Sequence, residues 1–308
     1  MNILLVICIA LVAGLLMTRL MKVIGLPNVT GYLIIGIILG PCCFKIINHT
    51  DLDGVFNIIT EVALAFIAFS IGVEFKISSF KRIGKNIFVI TLTQALTTTL
   101  LVDAVLITLA LTTDLIPLPV AICLGAIATA TAPAATLMVV RQYKAHGPVT
   151  ETLLPVVALD DAVGLMVFSV SIALAEVFAS GTPITFTAIV LEPLLEIVLS
   201  LAIGAALGFI LSLSTKIFKS RANRLAACIA VVFAGCGITM IEGLSLSSLL
   251  VCMMIGAIYC NFFKESDVIM EQCDRWTTPL FILFFIISGA SLDIFNIIHV
   301  GVIGIIYV

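Results

Sequence analysis

The chain of 308 residues is 62% hydrophobic and 11% charged, with a mean hydropathy of +1.30 and a formal net charge of −3. A soluble domain of this length cannot hide that much apolar surface, so a polytopic, all-α membrane protein is expected, with the bilayer as its solvent. The small net charge says nothing about partners, because in a membrane the sidedness of charge matters more than its sum.

Read at about 20 residues per crossing, the apolar runs give ten full spans and the start of an eleventh. They cover 2–19, 28–47, 55–74, 86–111, 117–141, 150–178, 186–215, 224–241, 244–263, 276–292 and 296 onward. The first has no basic residue before it and no small-residue cleavage site after it, so it reads as a span and not as a removed signal peptide. Arg19 and Lys22 join spans 1 and 2, and Lys76, Lys81, Arg82 and Lys85 join 3 and 4. Arg141 and Lys144 follow span 5; Lys216, Lys219, Arg221 and Arg224 follow span 7; Lys264 and Arg275 follow span 9. Lys45 alone falls on the opposite side. Under the positive-inside rule the connections after odd-numbered spans are cytoplasmic and the N-terminus is outside. The chain stops within the apolar "GVIGIIYV", too short to span, so a C-terminally truncated protein is expected.

Span 5 contains "GAIATATAPAATLMVVRQ". Pro133 lies mid-span, lacks an N–H, and in a continuous helix clashes with the carbonyl of Thr129. Freed backbone groups in hydrocarbon are tolerated where they are re-satisfied or line a watery cavity. A discontinuous helix around Thr129, Ala132 and Pro133 is therefore expected, with Thr131 and Thr136 beside it.

Span 6 contains "VVALDDAVG". Asp160 and Asp161 lie ten or so residues in, roughly 15 Å deep at the helical rise, near the middle of a hydrocarbon core about 30 Å thick. A carboxylate there costs on the order of 3 kcal/mol on insertion scales. No Lys or Arg lies at that depth in spans 1–10 to neutralise it. Two adjacent carboxylates also repel, which favours holding a proton. Thr131 and Pro133 fall at a similar depth when counted back from Arg141, so broken backbone and carboxylates meet. Carbonyl, hydroxyl and carboxylate oxygens are hard ligands suited to Na⁺ or another small cation.

The other polar residues point less strongly to a site. Asp103 lies some nine residues inside span 4 and is a candidate for lining a cation path. Glu61 and Glu74 fall near span ends, Glu242 and Asp293 at outer turns, and Glu192 and Glu196 one turn apart on span 7. His49, His146 and His299 are loop or span-edge residues. Gly36–Gly40 and Gly204–Gly208 have the small-xxx-small spacing of close helix packing. "HTDLDG" at 49–54 reads as an outer loop. The nine cysteines form no CxxC or metal-ligand spacing, so they read as packed thiols, and no cofactor is called for. There is no phosphate loop, nucleophile–base arrangement or basic tract, which speaks against an enzyme and against nucleic-acid binding.

The ordered set of "GYLIIGIILGP", "FSIGVEF", "ATATAPAAT", "ALDDAVG", "IEGLSLSSLLVCMMIGA" and "PLFILFFIISGASLDI" resembles the monovalent cation:proton antiporters. The nearer likeness is to the second family of these, which holds Na⁺/H⁺ exchangers and the glutathione-gated K⁺ efflux systems. The resemblance implies an inverted-repeat fold with a discontinuous helix, working as a homodimer in the bacterial inner membrane. It implies scaffold spans over 1–80 and 221–293, the first half of a moving core over 81–180, a linker over 181–220, and an incomplete second half from 294 to 308. Asp161 matches the family's ion- and proton-binding carboxylate. Asp160 matches the position where Asp accompanies electrogenic exchange, and Thr131 matches the threonine at the unwound crossing. Ala132 departs from the Asp that many relatives carry there, and the family's ion-pairing lysine would fall beyond Val308.

The function this implies is exchange of Na⁺ or Li⁺ for H⁺, with Asp160 and Asp161 binding cation and protons competitively. Exchange of K⁺ for H⁺ is the nearest alternative, although the K⁺ branch usually has Gln before its Asp. An anion or solute symporter would need basic or aromatic residues at mid-membrane that spans 5 and 6 lack. A module that senses the cation without moving it is the reading if the chain ends at 308.

Overall fold

The computed structural model describes residues 2–73, 77–113, 116–180, 191–241, 246–263 and 266–293. The side chains of 77–85 and of several other positions, Pro133 and Asp161 among them, lie outside that description, as do Glu74, Glu242, His299 and the whole of 294–308.

The described residues form helices and no strands. In chain order they are α1 (Ile3–Ile24), α2 (Asn28–Leu39), the short α3 (His49–Asp51), α4 (Asn57–Val73), α5 (Ile77–Thr112) and α6 (Leu118–Ile127). There follow α7 (Pro133–Tyr143), α8 (Pro148–Ser180), α9 (Glu192–Ile217), α10 (Arg221–Thr239), α11 (Ser248–Phe262) and α12 (Ser266–Ala290). A π-helical segment, Leu52–Phe56, joins α3 to α4. Among the described residues, five helical stretches are long and apolar enough to cross a membrane: Ile3–Ile24, His49–Val73, Asn86–Thr112, Leu194–Ile217 and Arg221–Thr239. Their outward faces are apolar, with Leu4 and Leu16 of α1 and Leu100 and Leu101 of α5 exposed. That inversion of the water-soluble pattern is what a lipid solvent requires.

Each of the ten full apolar runs contains a helix, and the differences have local causes. Span 2 stops at Leu39, because Gly40 precedes Pro41 and takes the extended conformation (φ −71°, ψ 179°) that a following proline favours. Span 5 is two helices, α6 and α7. The 49–54 stretch is helical and not a loop: Asn48 and Asp51 form a capping box that starts the turn. Several connections are shorter than hydropathy suggests, since α5 begins at Ile77 and α12 at Ser266, so basic residues ride on helix ends.

Two groups of helices result. In the larger, α4 is central and packs on α10, α11 and α12, with α9 against α11, α2 against α12, and α1 against both α2 and α12. In the smaller, α5, α6 and α8 pack on one another. α7 leaves α6 and packs on α2, α4 and α8. The larger group is held by close backbone approach. A Cβ on Gly72 of α4 would overlap the Met253 carbonyl of α11, and one on Gly256 would overlap the Phe69 carbonyl. Gly36 and Gly40 lie in the same way against Ile286 and Ala290 of α12, and Gly204 and Gly208 against α11. Small residues let helices touch where lipid gives no hydrophobic drive for association.

Gly256→Ala is therefore expected to lower thermal stability in detergent, by about 1–3 kcal/mol for overpacking. Gly237→Ala, on α10 with open space around its Cβ, is expected to leave the melting temperature unchanged or raise it. Equal melting temperatures for the two variants would refute close backbone packing of α4 on α11.

Candidate ion-binding site at the helix break

The conflict between Pro133 and Thr129 is resolved by ending α6 at Ile127 and starting α7 at Pro133 itself. Proline is well suited to the first helical position, where an N–H would have no partner in any case. Residues 128–132 are unwound, with Ala132 extended (φ −82°, ψ 97°).

An unwound stretch among apolar helices needs substitute hydrogen bonds, and α5 supplies them. Gln94 Nε2 donates to the Thr129 carbonyl at 3.4 Å. The Thr129 and Thr99 hydroxyls lie 2.5 Å apart. Thr99 gives its single proton to the Ala95 carbonyl at 2.9 Å, so Thr129 is the donor of that pair. Thr129 is fully buried.

The carboxylate comes from α8. Asp160 is fully buried, and its Oδ2 accepts two hydrogen bonds from Thr131, from the backbone N–H at 2.8 Å and from the hydroxyl at 2.9 Å. Its Oδ1 is buried and has no hydrogen-bond partner among the described residues. One oxygen is thus anchored while the other keeps its lone pairs unclaimed, an arrangement that can take up a proton or a small cation. Thr131 lies two residues before α7, so the anion sits by the positive end of that helix's dipole. Gly164, one turn beyond Asp160, lets α8 lie close to the break: a Cβ there would come within 3.2 Å of Ala130 Cβ.

The break is accessible as well as anchored. Thr131 and Ala132 are exposed, and Ala132 also borders an apolar cavity of about 380 Å³ between α7 and helices α2, α4, α11 and α12. The other end of α7 is tied down. Arg141 Nη1 pairs with Asp274 Oδ1 of α12 at 2.7 Å, and the Asn28 N–H at the start of α2 donates to Gln142 Oε1 at 2.9 Å.

Of the residues singled out by sequence, the structure brings together Thr129, Thr131, Ala132, Pro133 and Asp160. Asp161 follows on the same helix, with its side chain outside the described residues. Asp103 stands apart on α5, against α6. Among the described residues no group of three or more His, Cys, Asp or Glu side chains could hold a metal ion. Sequence reasoning missed Gln94, Thr99, Gly125 and Gly164. The available signal was the i,i+4 spacing of Thr99 and Asp103, which puts both on one face of α5.

Residues 7–308 match the model of the sodium/hydrogen exchanger transmembrane family. The chain belongs to that family. Its members are antiporters that exchange a monovalent cation for protons, and so are transporters and not enzymes. Among solved structures the fold is similar to that of the sodium proton antiporter MjNhaP1 from Methanocaldococcus jannaschii at pH 8, with a TM-score of 0.73 and 21% identity. That likeness covers 100% of this chain and 75% of the other. No curated protein matches significantly.

Thr131→Val keeps the backbone donor to Asp160 and removes the hydroxyl. A loss of about 1.5–3 kcal/mol is expected for a hydrogen bond to a carboxylate, read as a lower melting temperature in detergent. Thr131→Ser restores the donor and is expected to melt near wild type. Thr136→Val serves as control, since the Thr136 hydroxyl bonds only the Ala132 carbonyl of its own turn. An unchanged melt for Thr131→Val would show that the hydroxyl does not hold the carboxylate.

Proposed function

We propose that this chain exchanges Na⁺ or Li⁺ for protons, with Asp160 and Asp161 as the groups for which cation and protons compete. The observation that carries the reading is the half-anchored Asp160: a buried carboxylate held through one oxygen by Thr131, with the other uncommitted. Membership of the sodium/hydrogen exchanger family supports it. A cation bound between the carboxylates, the Thr131 hydroxyl and carbonyls of residues 128–132 would be neutralised without a lysine or arginine. Protons arriving on the carboxylates remove that negative charge and release the cation. Because the two loads exclude one another, downhill movement of one drives the other uphill.

With two carboxylates, two protons enter for each Na⁺ that leaves, and one net charge crosses. The membrane potential then contributes about 2.3 kcal/mol per 100 mV. In this reading residues 81–180 carry the site as part of a moving core against a scaffold of 1–80 and 221–293. On the same reading the odd-numbered connections, which carry most of the Lys and Arg, face the cytoplasm of a bacterial cell, and the protein works as a homodimer.

Asp161→Asn is expected to abolish Na⁺-driven proton movement in everted membrane vesicles, and Asp160→Asn to leave weaker exchange that no longer moves net charge. Substantial Na⁺/H⁺ exchange by Asp161→Asn would refute the assignment. A cation series in the same vesicles decides the substrate: response to K⁺ without response to Na⁺ or Li⁺ would replace sodium with potassium.

A further inference from the structure

Asp103 is a carboxyl that the site above does not use. It lies on α5, nine residues before the helix ends at Thr112, roughly 13 Å from that end at the helical rise. Its Oδ1 is buried and has no hydrogen-bond partner among the described residues. It presses on α6 where Gly125 leaves room: a Cβ on Gly125 would overlap Oδ1. α5, α6 and α8 pack together here, and neither α6 nor α8 contains a Lys, Arg or His. The basic residues of α5, Lys81, Arg82 and Lys85, are at its opposite end. The titratable groups on the packed helices are Cys123 of α6 and Glu151, Asp160, Asp161 and Glu176 of α8. The residue as a whole is only partly buried, but a carboxylate among apolar helices with no cation to pair with is costly to keep charged.

Its place on α5 gives a proton held there somewhere to go. Thr99 is one turn further along, bonded to Thr129 in the break, and Gln94 beyond it bonds the Thr129 carbonyl. Thr131, two residues after Thr129, holds Asp160. Thr99 thus lies on α5 between Asp103 and the unwound segment that holds Asp160.

We propose that Asp103 is a second proton-binding carboxyl, which loads protons from the side where α5 ends at Thr112 and passes them toward Asp160 by way of the Thr99 and Thr129 hydroxyls. Each hydroxyl turns from its resting bond to relay the proton, Thr99 from the Ala95 carbonyl and Thr129 from Thr99. In the transfer the Asp103 O–H bond breaks and one forms on Asp160, so Asp103 becomes the carboxylate as Asp160 becomes the acid. Asp103 then reloads from the Thr112 side. The inference rests on the antiport reading above.

The test uses the purified protein in proteoliposomes with an internal pH dye, Na⁺ on one side, and the pH on the Thr112 side varied. Asp103→Asn is expected to keep its maximal rate but to need a pH lower by about one unit for half of it, with the KM for Na⁺ unchanged. Asp103→Glu is expected to restore the wild-type profile. Gly125→Ala, which displaces the carboxyl without removing it, is expected to shift the profile in the same direction, and it carries the test if Asp103→Asn does not fold. A wild-type pH profile in both Asp103→Asn and Gly125→Ala would overturn the proposal. So would a change confined to the KM for Na⁺, which makes Asp103 a cation station, or a loss of rate with no shift in profile, which makes it structural. Absence of exchange in the wild-type protein itself would instead overturn the antiport reading, and this inference with it.

Discussion

In hydrocarbon every backbone N–H and C=O must find a partner inside the protein, and at Thr129 a continuous helix cannot provide one. The pyrrolidine ring of Pro133 occupies the space and lacks the hydrogen that the Thr129 carbonyl would accept. Much of the smaller helix group answers that single deficit. Gln94 reaches across from α5 to the orphaned carbonyl, Thr99 takes the Thr129 hydroxyl, and α8 brings Asp160 to the Thr131 N–H. Gln94 and Asp160 are side chains standing in for backbone partners, which is why polar residues collect on the inner faces of helices whose outer faces meet lipid.

The same break separates two packing environments. α6 stays with α5 and α8, whereas α7 crosses to α2 and α4 and is secured at its far end by the Arg141–Asp274 pair. The unwound residues are therefore the joint between a small helix group and a larger one knitted by glycine-mediated backbone contact along α4 and α11. On the antiport reading proposed above, an ion at the joint would touch backbone, hydroxyl and carboxylate at once and be felt by both groups. That is the physical condition for coupling occupancy to the relative position of helices.

Electrostatics set the chemistry at this joint. A buried carboxylate without a basic partner must be neutralised by a proton or by a bound cation, and the cost of leaving it charged enforces the choice.

Much of this was legible in the residues. Proline's ring fixes where span 5 must break, because that effect is covalent and local. The uniform rise of a helix fixes the depth of Asp160, so its meeting with the break follows from counting residues back from the basic ends. The side on which Lys and Arg collect, and the ten apolar runs, are likewise properties of composition along the chain. What the sequence could not settle depends on rotation about helix axes and on contacts between distant segments. Successive residues on a helix point about 100° apart, so only the packed structure shows that Asp160 engages Thr131. Only packing brings Gln94 and Thr99 to the break, sets Gly125 under Asp103, and sends α7 away from α6 toward α4. Local covalent chemistry determined where the helix fails; the tertiary structure decided which side chains answer the failure, because their partners lie tens of residues away.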